Sequence, residues 1–391
     1  MQMPRPQVSA SEASGFLASL KAASQFIKMT SAWLHSTRFD LGFIAGIALL
    51  AAGMATATVV SPLLFLPMLT VHTWLFGYEH LWATYTKLVL NPDDRARHRT
   101  LIYVVPPVVL LTLFGLGQAF GLKGLYVLYF FGQFFHTVRQ SWGLAQQYRR
   151  QAGGMQWDST RLSEITLWSV PVCGFLNRCA ERPDEFLFQD FWLPPVPRIA
   201  VTVAGLASAA LCLFWIYTRV LAYRRGELPL GHTFYMLSHF AVYLGGYILI
   251  GELCSGWLLV NVWHNVQYLA FVWIYNRNRY ATGIDHRTRV LSWLSQPGMF
   301  RVGLYFLATI ALALPIYYLL PQLGMTLDGL LKNLAVPAAM TIGLTLTFHH
   351  YIADGIIWRR RNNPGEPAAL RYVAFGNTQR PQYNSEKAYH G

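Results

Sequence analysis

Long apolar stretches alternate with short polar ones, most of them bearing arginine, along nearly the whole chain. A helix needs about 20 largely apolar residues to cross a bilayer. Ten stretches meet or nearly meet that length, at approximately 40–59, 62–89, 100–120, 122–148, 163–180, 198–220, 230–252, 255–276, 300–320 and 328–358. The fifth is the weakest, since Glu164 opens it and Pro171 interrupts it. Proline is tolerated in membrane helices where neighbours satisfy the freed carbonyl. The pattern predicts an all-α fold: a polytopic transmembrane helical bundle of about ten spans.

The polar connections set the expected orientation. With the N-terminus inside, the inner loops hold Arg95, Arg97 and Arg99; Arg149, Arg150 and Arg161; Arg224 and Arg225; Arg277, Arg279, Arg287 and Arg289; and Arg359 to Arg361. The outer loops hold only Lys123, Arg178, Arg182, Arg198 and Lys332. Every alternation obeys the positive-inside rule, which puts both termini in the cytoplasm. Residues 1–38 read as a cytoplasmic N-terminal segment, with a short amphipathic helix around Phe16 to Met29 and no cleavable signal. Residues 39–361 form the helical domain, and 362–391 a flexible cytoplasmic tail. The aromatic, proline-bearing segment from Glu181 to Pro197 reads as an outer loop dipping into the interface. The chain is expected to be a multi-pass integral membrane protein, in the inner or plasma membrane if bacterial.

Composition agrees. The chain is 54% hydrophobic and only 13% charged, against about 25% charged residues in soluble domains. The net charge of +13 would suggest nucleic acid in a soluble protein, but topology accounts for the basic residues, and no nucleic-acid motif occurs. Cys173, Cys179, Cys212 and Cys254 show no CxxC and no zinc spacing, so they read as isolated thiols.

Ionisable residues inside spans are costly, and function usually explains them. The second span carries His72, Glu79 and His80; the fourth His136; the seventh His232 and His239; the eighth His264; and the tenth His349, His350 and Asp354. At 1.5 Å of rise per residue, His80 and His350 lie roughly 12–14 Å from the cytoplasmic helix ends, His136 and His239 roughly 15–18 Å, and His264 about 18 Å. Imidazoles from separate helices thus enter one slab of the cytoplasmic half. His350 and Asp354 share a helix face; His264 shares its face with Asn261 and with Gln267 or Tyr268, and His136 with Arg139 and Gln140. Such a set of imidazoles and carboxylates suits iron, copper or zinc. The expected metal ligands are His80, His136, His239, His264, His350 and Asp354, followed by Glu79, His72 and His349. Gln140, Asn261, Gln267, Tyr268 and Arg139 are expected to support them, with Asn265, Tyr78 and Tyr351 as further holders. Arg139 has the alternatives of binding a carboxylate or headgroup, or pairing with Glu79. His35, His98, His286 and His390 read as solvated, although His98 begins the third span and could approach the site; His232 lies near the surface, with a structural and a functional role equally open. No residue is singled out as a general acid or base.

In ligand type, depth and membrane setting the chain resembles the histidine-rich integral-membrane non-haem di-iron class of desaturases, alkane hydroxylases and sterol or carotenoid hydroxylases. Their HxxxH and HxxHH boxes do not occur here; the adjacent pair His349–His350 is followed by YIAD. A weaker similarity is to bacterial membrane carotene-cleaving oxygenases. The resemblance implies one or two Fe²⁺ ions, O₂ as co-substrate, and hydroxylation, desaturation or cleavage of a membrane lipid or other hydrophobic substrate. No NAD or flavin motif appears, so a separate electron-donor protein is expected. Two other readings stay open: a haem protein transferring electrons through two axial histidines, and a proton-coupled transporter with a His/Asp relay.

Overall fold

The computed structural model describes residues 33–152 and 159–358. It is 84% helical with almost no sheet. The proposed helix over Phe16 to Met29, the terminal segments and His390 lie outside the described residues. Each of the ten apolar stretches holds a helix, though the tenth begins only at Ala338, since residues 331–337 are non-helical, and the seventh ends at Leu249. They are named α1 (Thr37–Val60), α2 (62–90), α3 (99–120), α4 (122–151), α5 (Thr160–Glu181), α6 (Arg198–Arg224), α7 (230–249), α8 (Leu253–Arg279), α9 (Met299–Leu330) and α10 (Ala338–Ile357). Four helical runs, Thr37–Val60, Arg99–Gln151, Arg198–Arg224 and Met299–Leu330, are long and apolar enough to cross a membrane. The helices bearing most of the histidines are less uniformly apolar or less regular. Their inward faces carry polar side chains, and α2 is interrupted by a π turn, Thr73–Gly77.

Local chemistry explains the helix boundaries. Ser36 caps α1 by accepting the Phe39 N–H, and Ser159 and Glu252 do the same for α5 and α8. Gly121, at φ +67°, breaks the run from Arg99 to Gln151 into α3 and α4. A residue with a side chain is strained in that conformation. Asn91 caps a short helix, Pro92–Arg97, in which proline occupies the first turn.

α8 runs through the middle of the bundle. Trp263, Val262, Tyr268 and Val272 are buried on several of its faces, the pattern of a helix surrounded by others. By contrast, α6 exposes Ile199, Val203, Leu206, Leu213 and Phe214. An apolar surface of that length is abnormal in a water-soluble monomer. The segment between α5 and α6 forms a two-residue-per-strand hairpin, Glu185–Phe186 against Gln189–Asp190. Its aromatic side chains divide between the protein interior and the surface. Phe186 and Phe191 are buried, and Phe186 packs on Tyr129, Phe130 and Trp257, while Phe188 and Trp192 stay exposed.

All four cysteines are free, Cys173 and Cys179 buried and the others half-buried. Three histidines expected at solvated or surface positions are placed otherwise. His98 and His232 are buried, and half-buried His35 meets Arg277. His286 is exposed, as expected.

Candidate metal centre

Four imidazoles meet inside the bundle, one each from α2, α4, α8 and α10. His80 and His350 face each other through Nε2 atoms 2.7 Å apart. The Nε2 of His136 lies 3.2 Å from that of His350. The His264 ring closes the group, its centroid 4.7 Å from that of His80 and 4.9 Å from that of His136. Asp354 Oδ2 lies 3.7 Å from His350 Nε2. One donor atom from each of His80, His136, His350 and Asp354 falls within 4.8 Å of the other three. All of these side chains are buried.

The helices deliver them by a shared rule. Residues four apart on a helix stack on one face. Each histidine has a polar residue four positions on: Thr84 after His80, Gln140 after His136, Tyr268 after His264, and Asp354 after His350. The imidazoles form one storey and these partners the next. Thr84 and Tyr268 both donate to Asp354 Oδ1, at 2.8 and 2.5 Å. Trp358 donates to the Tyr268 hydroxyl at 3.0 Å. Gln140 donates to the His264 carbonyl at 3.5 Å. Because both storeys match across α2, α8 and α10, these helices run the same way. So does α4, since Gly132 abuts Phe348 while His136 stacks on Tyr351 at 4.3 Å.

Oδ1 of Asp354 is saturated by two donors, whereas Oδ2, turned toward the imidazoles, has no hydrogen-bond partner. A buried carboxylate oxygen left so is costly. Imidazole nitrogens facing each other at 2.7 and 3.2 Å also need a proton or cation between them. Cis nitrogen ligands on an ion with bonds of about 2.0–2.1 Å lie about 3 Å apart. The residues present fit an ion held by three imidazoles and one carboxylate, with the His264 ring beside it.

No family model, curated protein or solved structure matches this chain.

Several residues expected at the site lie elsewhere. His239 sits on α7, where Ser141 meets its Nδ1 at 2.8 Å and the Leu167 carbonyl its Nε2 at 2.9 Å. His349 is likewise occupied on both nitrogens, by Tyr85 at 2.8 Å and the Leu101 carbonyl at 2.6 Å. His72 pairs with Asn265 at 2.9 Å and packs edge-on against Trp257. Glu79 turns toward Thr309 of α9; Thr309 spends its single hydroxyl proton on the Phe306 carbonyl, which leaves both Glu79 oxygens without a donor. The π turn Thr73–Gly77 lies between His72 and the Glu79–His80 pair. It inserts one residue without advancing the helix face, so the face of His72 continues at His80 instead of at Glu79.

Among the expected supporting residues, Tyr268 and Gln140 touch the site, and Arg139 lies over Phe135 and beside Gly355. Asn261 bonds Gln133 and the Trp257 carbonyl. Gln267 faces Phe43 and Tyr235, away from the imidazoles. Sequence reading passed over Thr84 and Trp358. The spacing of Thr84, four residues after His80, was the available signal for the first; Trp358, eight after His350, gives a weaker one.

Proposed function

We propose that this chain is a membrane-embedded, metal-dependent oxidoreductase that activates O₂ at one non-haem iron and acts on a hydrophobic, lipid-like substrate. The observation carrying the reading is the convergence of three imidazole nitrogens and the unpartnered Oδ2 of Asp354 in one buried place. Histidine with carboxylate is the donor set of non-haem iron sites that use oxygen. Iron, when bound, supplies the redox chemistry. His80, His136, His350 and Asp354 hold it, and the surrounding apolar helices exclude water and admit an apolar substrate from the bilayer.

The reading includes ten spans with both ends in the cytoplasm. It is supported by arginine placement and by the common direction of α2, α4, α8 and α10, each separated from the next by an odd number of helices. The Thr84–Asp354–Tyr268 storey then lies on the cytoplasmic side of the imidazoles, nearer a separate electron-donor protein. The packing favours an ion over haem. A porphyrin between two axial imidazoles needs the space that a third imidazole and Asp354 occupy.

Metal analysis of the purified protein, with its optical spectrum, tests this. The expected result is about one iron per chain and no Soret band. A Soret band would move the protein to the haem reading. Absence of any tightly held metal would overturn the proposal in favour of a proton relay.

A further inference from the structure

Thr84 lies outside the ligand set, yet its hydroxyl touches three partners: His350 Nδ1 at 2.7 Å, Asp354 Oδ1 at 2.8 Å and the Tyr268 hydroxyl at 2.7 Å. It has one proton to give. The direction of the surrounding bonds decides where that proton goes. Trp358 can only donate, and it donates to the Tyr268 oxygen. Tyr268 gives its own proton to Asp354 Oδ1, at 2.5 Å, its shortest contact. A carboxylate is a stronger acceptor than a neutral imidazole nitrogen, because its bonds are charge-assisted. The Thr84 proton goes to the same side, leaving its lone pair for His350. His350 must then carry its proton on Nδ1 and present an unprotonated Nε2 to His80 and His136.

We propose that Thr84 is a positioning residue that fixes the tautomer of His350, and with it the ability of that histidine to bind a metal through Nε2. This rests on the metal-site reading above. The same hydroxyl also aims Asp354, since by donating to Oδ1 it helps leave Oδ2 turned toward the imidazoles. One small side chain on α2 thus orients two candidate ligands on α10, as outer partners of metal-bound histidines do elsewhere. Tyr268 and Trp358 set its direction but touch neither imidazole nitrogen of His350.

The test compares Thr84→Val, Thr84→Ser and Tyr268→Phe with the full-length chain, in two measurements. The first is Fe²⁺ affinity by competition with a chelator. Thr84→Val is expected to bind about 10–100-fold more weakly, Thr84→Ser like the parent, and Tyr268→Phe between the two. The second is ¹⁵N NMR of the metal-free, histidine-labelled protein, with the His350 signals assigned by their loss in His350→Asn. The parent and Thr84→Ser should show His350 protonated at Nδ1, and Thr84→Val should show the other tautomer or a mixture. An unchanged tautomer in Thr84→Val, or Nε2 protonation in the parent, overturns the proposal. If the parent binds no metal, the function proposed above fails, and the tautomer measurement still decides the role of Thr84.

Discussion

A β-carbon on Gly256 would overlap the carbonyl oxygen of Gly246, so the start of α8 and the end of α7 touch backbone to backbone. Arg178 of α5 fills the same corner. Its guanidinium is fully buried and donates to the carbonyls of Gly246, Ile250 and Gly251, and to Glu181. The last turn of α7 is a π turn, Gly245–Leu249, and a helix end leaves carbonyls without partners; Arg178 supplies them. Arg178→Ala is expected to destabilise the protein by about 3 kcal/mol or more, since buried carbonyls left unmatched cost about 1–3 kcal/mol each. Gly256→Ala should do comparable damage by forcing the helices apart. Thermal unfolding in detergent measures both; a midpoint within a degree of the parent for either would contradict this account.

His136 and His239 separate a site role from a structural one. His136→Ala removes a donor from the cluster and should abolish stoichiometric metal binding while leaving the fold soluble in detergent. His239→Ala strands the Leu167 carbonyl, at a cost of about 1–3 kcal/mol, and should keep its metal. Metal content and unfolding midpoint, measured on both variants, ought to move in opposite patterns. Equal metal loss in the two would show that depth, not contact, was the better guide.

His35, just ahead of α1, predicts a pH effect. Its Nε2 lies 3.1 Å from the Arg277 guanidinium and accepts from it, which a neutral imidazole alone can do. Burial, and then the Arg277 charge, hold its pKa below the ordinary 6.5. The folded protein thus takes up this proton less readily than the unfolded chain. The contribution is complete above about pH 6.5 and is lost as pH falls below it. The unfolding midpoint should therefore drop from pH 7.5 to 5.5 by more in the parent than in His35→Gln. A steeper drop in the variant would reverse the assignment.

The helices were legible because a bilayer demands long apolar runs, and the breaks between them coincide with Gly121, Pro92 and the caps at Ser36, Ser159 and Glu252. The gathering of His80, His136, His264 and His350 was half legible. Depth brought them forward together, but depth says nothing about which way a side chain points around its helix, so His239 and His349 came with them. The pairing of His350 with Asp354 was readable at four-residue spacing. The same test on His80 leads to Thr84. Glu79 and His80 were not separable, because the phase of α2 depends on the π turn Thr73–Gly77, and no hydrophobic pattern marks it.

The cluster closes between residues 270 positions apart, His80 and His350. Synthesis therefore completes the ligand set only when α10, the last described helix, has entered beside α2. An ion gripped there would staple the early part of the chain to its end, so loading would report that every intervening helix had been threaded in the right direction. On the metal-site reading, a chain truncated before His350 would fold many of its parts and still hold no metal, and the centre would act as a checkpoint on its own assembly.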